Sequence, residues 1–247
     1  MIDIHCHILP GLDDGPQSET EAIKMARIAV EDGITQMIAT PHSHDGIYVN
    51  NAEQVLQAVE AFQAILDREG IPLRVHPGAE VHMHANMVEH LLSDTLLTMC
   101  NARRYVLLEL PVLHLPLFTD EVLANLHASG MTPIIAHPER NQVLRRKPDR
   151  LARWIRQGAV AQLTASSLAG KMGKSARKWA EFMVRHRLVQ LIASDGHDSL
   201  IRKLELNAAY QSLLQIAPAD VVQTYRRNAE AVLQGVTCSV PEPLYDC

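Results

Sequence analysis

Histidines and carboxylates recur at the ends of apolar runs along this chain, with the spacing of metal ligands. His5 and His7 close the run 2–7 and stand two apart. Residues i and i+2 of a strand face the same way, so both imidazoles can reach one ion while Cys6 faces the opposite side, into packing. His42 closes 36–42, Glu80 closes 74–80, Glu109 closes 105–109, and His137 closes 133–137. Asp195 closes 189–195, with His197 two residues on. A carboxylate at the end of a buried strand is costly unless it is paired or metal-bound. Taken singly, each of these is a hydrogen-bonded polar residue at a strand end, and H-x-H alone is a weak signal. Taken together, eight side chains that track six strand ends read as a multinuclear metal centre. The donors are nitrogen and oxygen only, a mixed set compatible with Mn²⁺, with Fe or Zn as alternatives.

Neighbouring polar residues carry weaker readings. Asp13 and Asp14 lie in the loop 11–15, where Asp13 reads as a turn residue. His44, followed by the turn signal Asp45-Gly46, reads as solvent- or substrate-facing. His82 and His84 repeat the H-x-H spacing after Glu80, but no second metal site is expected there. The loop 111–118 is rich in apolar side chains directly after Glu109. It reads equally as packed core or as an apolar rim that receives an aromatic ring or a partner peptide.

The elements that must position these groups alternate along the chain. Helices are expected over 18–31, 51–69, 119–129, 148–157, 174–187, 202–214 and 218–233. Ser18 and Glu21 have capping-box spacing, and Val55, Val59, Phe62 and Leu66 fall on one helical face. A seventh strand-like run, 160–166, ends in hydroxyls, not in a metal ligand. Regular alternation of strand and helix argues for a parallel sheet covered by helices. Seven repeats with polar tips on every side favour a closed or nearly closed α/β barrel, in which strand carboxyl ends converge on one face. An open doubly wound sheet would place its ligand at one switch point. No low-complexity linker or charge block divides the chain, and 1–247 reads as one domain.

Composition narrows the class. The chain has 247 residues, 47% hydrophobic but only 4% aromatic, so aliphatic side chains must fill the core. A net charge of −5 argues against a nucleic-acid binder working by bulk charge. Cys6, Cys100, Cys238 and Cys247 show no paired spacing, so reduced thiols in a cytoplasmic protein are expected. No charged leader with an apolar run opens the sequence, and no stretch approaches the roughly 20 apolar residues of a membrane span. Thiolate chemistry of the C-x5-R type is excluded, because Leu12 and Val106 stand where arginine would be needed. No G-x-S-x-G supports a serine nucleophile.

The chain resembles the polymerase-and-histidinol-phosphatase (PHP) superfamily. More narrowly, it is similar to the bacterial manganese-dependent protein-tyrosine phosphatases encoded with capsule and exopolysaccharide clusters. The matching segments run in order through nearly the whole chain. They are 1–7, Asp13-Asp14-Gly15-Pro16, Ala39-Thr40-Pro41-His42, Gly78-Ala79-Glu80, 105–109, 135–140, 162–167 and 192–197. The D-D-G-P, H-P-E-R and Q-L-T-A-S-S pieces point to the phosphatase branch.

The resemblance implies a distorted seven-stranded (β/α) barrel of PHP type holding three divalent ions. Carried over by position, one ion takes His5, His7, Glu80 and Asp195. A second shares Glu80 and uses Glu109 and His137, and the third uses Asp14, His42 and His197. Arg140 and Arg202 would serve phosphate. The chain departs from relatives in the loop after His42 and at Lys203, where a proline is common. Three divalent ions set against Asp14, Glu80, Glu109 and Asp195 leave positive charge suited to a phosphomonoester dianion and a hydroxide. The expected reaction is in-line attack on phosphorus by a metal-bridging hydroxide. The expected substrate is phosphotyrosine in protein, on the tail of a bacterial tyrosine kinase that controls polysaccharide export. The alternatives are a small-molecule phosphoesterase such as a histidinol-phosphate phosphatase, and a metal-binding regulatory module without turnover.

Overall fold

The computed structural model describes residues 1–44 and 46–245. The expected turn residue Asp45 and the thiol of Cys247 lie outside the described residues. Among the described residues, nine parallel strands form two sheets. β1 (Ile2–Cys6), β2 (Gln36–Ala39) and β4 (Arg74–Pro77) make a three-stranded sheet in the order β1-β2-β4. β3 (His42–Ser43), β5 (Glu80–His82), β6 (Tyr105–Glu109), β7 (Thr132–Ala136), β8 (Val160–Thr164) and β9 (Leu191–Ala193) follow one another in a six-stranded sheet. The architecture is α/β, with helices over the strands as expected.

Two of the expected strands are broken, and proline explains where. Pro41 separates β2 from β3, and Pro77 ends β4 just before β5. Proline offers no backbone N–H to a ladder. The run 36–42 therefore pairs first with the three-stranded sheet and then with the six-stranded one, and 74–82 does the same. Gly78 lies at the second break, where an added Cβ would stand 2.7 Å from Ile38 Cγ2. β1 meets the segment after β9 through a parallel bridge between Cys6 and Gly196. The His7 amide donates to the Gly196 carbonyl at 2.9 Å, and the Asp195 amide to the His5 carbonyl at 2.8 Å.

Helix formation follows the sequence signals closely. Ala52–Arg68 carries a complete capping box between Asn51 and Gln54 and buries Val55, Val59, Phe62 and Leu66. Full burial of each such side chain contributes about 1.5–3 kcal/mol. At the first helix, Glu19–Glu31, Ser18 accepts from the Glu21 amide, as a cap should. The Glu21 carboxylate does not return to Ser18, however. It accepts from the Ser199 hydroxyl at 2.5 Å and the Ser199 amide at 3.2 Å, tying down the loop after β9. That loop stays non-helical through Arg202, and the helix expected from 202 starts at Leu206. The run 160–166 ends as a strand at Thr164, and Ala165–Leu168 is helical. No helix among the described residues is long and apolar enough to cross a membrane.

A small apolar cluster of Ile4, Ile38, Leu107, Ile134, Val160 and Leu191 packs among the strands. Two residues further along β6 and β8, on the same face, come Glu109 and Gln162. The face that is apolar low in the sheet thus turns polar towards its carboxyl end.

Candidate metal centre

His5 and His7 are fully buried at the end of β1, with their Nε2 atoms 3.2 Å apart. Each ring is fixed from behind. The Nδ1 of His5 lies 2.9 Å from Gln162 Oε1, whose amide nitrogen is committed to the Leu163 carbonyl at 2.8 Å. The amide oxygen therefore faces His5, which makes Nδ1 the donor and leaves the Nε2 lone pair to the centre. His7 Nδ1 lies 2.6 Å from Asp13 Oδ2. Asp13 is itself held by the amides of Gly15 at 2.9 Å and His42 at 2.9 Å. Orienting partners of this kind fix tautomer and aim in metal-binding histidines.

Around these two rings stand the remaining groups. Glu80 Oε2 lies 3.4 Å from His5 Nε2, 3.3 Å from His7 Nε2 and 3.2 Å from His42 Nδ1. Its other oxygen is 2.8 Å from His137 Nε2, and Glu109 Oε1 is 3.9 Å from the same nitrogen. Asp195 Oδ1 lies 3.4 Å from His5 Nε2 and 3.5 Å from His7 Nε2. Asp14 Oδ1 is 3.2 Å from His197 Nε2 and 3.6 Å from His42 Nε2. His197 Nδ1 is taken up by the Asp195 carbonyl at 2.9 Å, so its Nε2 lone pair also points inward. All nine residues singled out by sequence meet in one cluster. Within it, His5, His7 and Glu80 form one group of ligand atoms lying within 4.8 Å of one another. His42, Glu80 and Glu109 form a second, and His7, Asp14, His42 and His197 a third.

Backbone conformation contributes to this convergence. His137 (φ 30°), directly after β7, and Asp195 (φ 52°), two residues after β9, both occupy the left-handed region. Such conformations cost of order 1–3 kcal/mol each and persist where the surroundings over-determine them. Here the turn swings each side chain back over its strand end.

The electrostatics show how strongly the groups depend on one another. Burial alone would raise the Glu80 carboxyl, but the charges of His5 and His137 hold it well below the ordinary range. Burial works the same way on Asp195, and Arg140 and His5 overcome it. Burial would lower His7, yet Asp13 pushes it well above its usual value. His197 is brought down to about 4 by burial and the charge of His7. Within this mesh His42 Nδ1, Glu80 Oε2 and His197 Nε2 are buried without a hydrogen-bond partner among the described residues. Buried polar atoms are rarely left so, because each costs free energy when unpaired. His42 Nδ1 faces Glu80 Oε2 at 3.2 Å and His197 Nε2 faces Asp14 Oδ1 at 3.2 Å. Imidazole nitrogens set against carboxylate oxygens are donors suited to divalent cations, and the residues fit metal ions.

Two arginines enter from the rim. Arg140, in the turn Pro138–Arg140, pairs through Nη2 with Asp195 Oδ2 and donates to Thr164 Oγ1 at 3.2 Å. Its buried Nε has no hydrogen-bond partner among the described residues. Arg202 Nη1 lies 3.2 Å from Asp14 Oδ2, and its Nη2 lies 3.3 Å from Asp195 Oδ2. The Asp198 carboxylate accepts from the Leu200, Ile201 and Arg202 amides, which sets the loop that presents Arg202.

Sequence reasoning missed the supporting shell. Asp13 is a turn residue, as expected, but its carboxylate also holds His7. Gln162 belongs to the strand that carries no ligand, and its signal was a polar residue in the middle of a buried apolar run. Glu139 accepts from the Thr164 amide at 3.1 Å and the Ser167 hydroxyl at 3.0 Å, bracing the turn before Arg140. His82 turns to Glu109, with Nδ1 3.1 Å from Oε2. The loop 111–118 divides between its two readings: Leu115 and Phe118 pack against the core, while Val112, Leu113 and Leu117 are exposed.

The chain is 36% identical over 246 residues to the tyrosine-protein phosphatase YwqE of Bacillus subtilis, covering 99% of this chain and 96% of that protein. It is 32% identical to the putative tyrosine-protein phosphatase CapC of Staphylococcus aureus, covering 100% of this chain and 96% of that protein. A solved structure also matches, from work describing YwqE of Bacillus subtilis and CpsB of Streptococcus pneumoniae as unique metal-dependent tyrosine phosphatases. It has a TM-score of 0.95 and 35% identity and covers 100% of each chain. The family model of capsular polysaccharide synthesis, CpsB/CapC, matches residues 1–234. With its fold and these matches in agreement, the chain belongs to the CpsB/CapC family.

Proposed function

We propose that this protein is a metal-dependent phosphatase that hydrolyses phosphotyrosine in protein, acting on the tail of a bacterial tyrosine kinase that regulates capsular or exopolysaccharide synthesis. The observation that carries the reading is the meeting of two guanidiniums with the nine-residue cluster, one of them presenting a buried, unpaired Nε. A cationic N–H left without a partner beside a metal-type centre suits an anionic oxygen.

Three divalent ions, Mn²⁺ in our reading with Fe or Zn as alternatives, would be held by the sets already inferred. These are His5, His7, Glu80 and Asp195; Glu80, Glu109 and His137; and Asp14, His42 and His197. When bound, such ions lower the pKa of water from 15.7 towards about 7 and neutralise phosphoryl oxygens. The chain's own residues supply the rest. Asp13 and Gln162 keep the imidazole lone pairs of His7 and His5 aimed inward. Arg140 and Arg202 bind the equatorial oxygens, where transition-state charge is spread. Exposed Val112, Leu113, Leu117, Leu200 and Ile201 sit on the loops after β6 and β9 and give the mouth an apolar rim for an aromatic ring. A tyrosine phenolate, with a pKa near 10, leaves with less protonation than an alkoxide needs.

We further read the two sheets as one distorted seven-stranded barrel. The broken runs 36–43 and 74–82 each belong to both sheets, and the Cys6–Gly196 bridge supports closure between β1 and β9. On this reading 1–247 is a single catalytic domain. Cys6, Cys100 and Cys238 are free thiols, which suits a cytoplasmic protein.

The test is hydrolysis of para-nitrophenyl phosphate with manganese, with and without a chelator, followed by a phosphotyrosine peptide against histidinol phosphate. Chelator-sensitive turnover with preference for the peptide is expected. Cleavage of only the small metabolite would overturn the substrate assignment, and inactivity with every divalent ion would favour a binding module.

A further inference from the structure

A second group of imidazoles stands outside the nine-residue cluster. His44 follows β3, His84 follows β5, and His90 lies in the last turn of the helix Met87–Leu92. One ring nitrogen from each lies within 4.8 Å of the other two. We propose that His44, His84 and His90 form a separate, three-imidazole site for a transition-metal dication, Zn²⁺ above all, on the rim beside the main centre.

The geometry prepares the ligands. His84 Nδ1 lies 2.9 Å from the His82 carbonyl oxygen, which can only accept. The ring proton is therefore on Nδ1, and Nε2 presents its lone pair. That Nε2 is 3.1 Å from His90 Nδ1. Two nitrogens bound to one zinc at about 2.0–2.1 Å are separated by roughly 3.3 Å in a tetrahedral site, so these two need almost no movement. The His44 ring stacks on His84 with centroids 3.9 Å apart and lies 5.3 Å from His90. His44 is exposed, so rotating it about its side-chain bonds to complete the set displaces no packed neighbour.

The separation from the main centre is also built in. Strand alternation would aim His44 the same way as His42, but its left-handed backbone (φ 65°) breaks that alternation. His82 faces Glu109, so only the second histidine of the H-x-H pair joins the outer group. The donor chemistry differs too: among the described residues the outer group has imidazoles and no carboxylate, which favours zinc, nickel or copper over manganese or magnesium. Three imidazole nitrogens supply three of the four positions of a tetrahedral ion.

Such an ion would cross-link three segments already joined by the pairing of β3 with β5, the His84–His90 hydrogen bond and the stacked rings. The His44 amide donates to the Tyr48 carbonyl at 3.0 Å, and the Tyr48 ring lies nearly parallel to His42 at 6.2 Å. Zinc in the outer site would thus brace the loop that overhangs the main centre.

The test compares the full-length protein with a His44→Asn, His90→Gln double variant, both preloaded with Mn²⁺ and titrated with Zn²⁺. Bound zinc is counted after desalting, and released Mn²⁺ is followed by its paramagnetic resonance. The wild type is expected to take up one more equivalent of zinc than the variant, without a matching release of manganese. The variant should keep its manganese content and its phosphatase turnover. Because the readout is a difference of one equivalent, it holds whatever ions fill the main centre and whatever the enzyme's substrate is. Equal zinc uptake by the two proteins would overturn the proposal, leaving a His84–His90 hydrogen bond in place of a site. Zinc uptake matched throughout by manganese release would overturn it as well. The single variant His44→Asn, at an exposed position, guards against misfolding and should weaken zinc binding about tenfold or more; unchanged affinity would remove His44 from the site.

Discussion

Asp13 and His7 are joined at 2.6 Å inside the protein, and the same carboxylate oxygen also accepts the His42 amide. One buried acid therefore sets the aim of one imidazole and the backbone beside a second. Replacing it with asparagine removes the charge that holds the His7 tautomer while keeping the size. Asp13→Asn is expected to weaken metal binding about 10- to 100-fold with the fold intact. Metal titration alongside circular dichroism reads this, and unchanged affinity would show that Asp13 is only a turn residue.

Arg140 is tied to Asp195 and Thr164 but keeps a free Nε. Arg140→Ala is expected to lower kcat/KM for phosphate esters by about 10²–10³, the usual effect of removing a donor to a developing oxyanion. Metal content should stay normal. If metal is lost in proportion to activity, Arg140 supports the centre through Asp195 and does not bind phosphate.

Gly15 sits where a side chain cannot. An added Cβ would stand 2.2 Å from the His7 carbonyl oxygen and 2.9 Å from Asp13 Oδ1. Gly15→Ala must push the 11–15 loop outward, taking Asp13 and Asp14 with it. We expect metal affinity and turnover to fall together while the helices persist, checked by metal content and far-ultraviolet dichroism.

Metal should also stabilise the folded protein, since the ligands converge only when the strands do. With Mn²⁺ at a hundredfold over Kd, each site contributes about 2.7 kcal/mol. For a chain of this size that raises Tm by roughly 5–10 °C. Thermal melts with and without a chelator measure it, and coincident melts would argue against ion binding.

Away from the centre, Asp120 accepts the buried Trp154 indole at 2.6 Å and pairs with Arg153 and Arg150. Burial would raise its carboxyl, but the indole and both arginines hold it below its usual value of 3.8. A lowered carboxyl stabilises the fold above its unfolded value, and that contribution is lost as pH falls from about 3.8 through the folded value. With the side chain half exposed, the charge component is worth under about 1 kcal/mol. Asp120→Asn keeps an acceptor for the indole and should lose only this acid-dependent part. Asp120→Ala strands the Trp154 N–H and should cost about 1–3 kcal/mol at neutral pH. Urea melts at pH 3 and pH 7 separate the two, and equal stabilities for both variants at pH 7 would refute the role given to the indole.

The sequence by itself determined the class of fold and eight of the cluster's nine members, while Asp14 came only with the family resemblance. Strand periodicity with a polar tip, repeated from His5 to His197, is a local pattern, and parallel strands bring such tips to one end wherever they pair. Helix faces such as Val55 to Leu66 were equally legible, because one amphipathic stripe has one place to go. Only the tertiary structure decided what stands behind the ligands. Asp13 reads as a turn and Gln162 as strand filler until folding brings each against a ring nitrogen, Gln162 from 157 residues away. Glu21 carries the sequence signal of a cap, yet a better partner arrives in Ser199 from 178 residues along the chain. Pro41 and Pro77 were visible in the sequence, but that their missing N–H groups split the pairing into two sheets depends on which neighbours the strands meet. Local pattern fixes what a residue can do, and long-range packing selects which of those uses is realised.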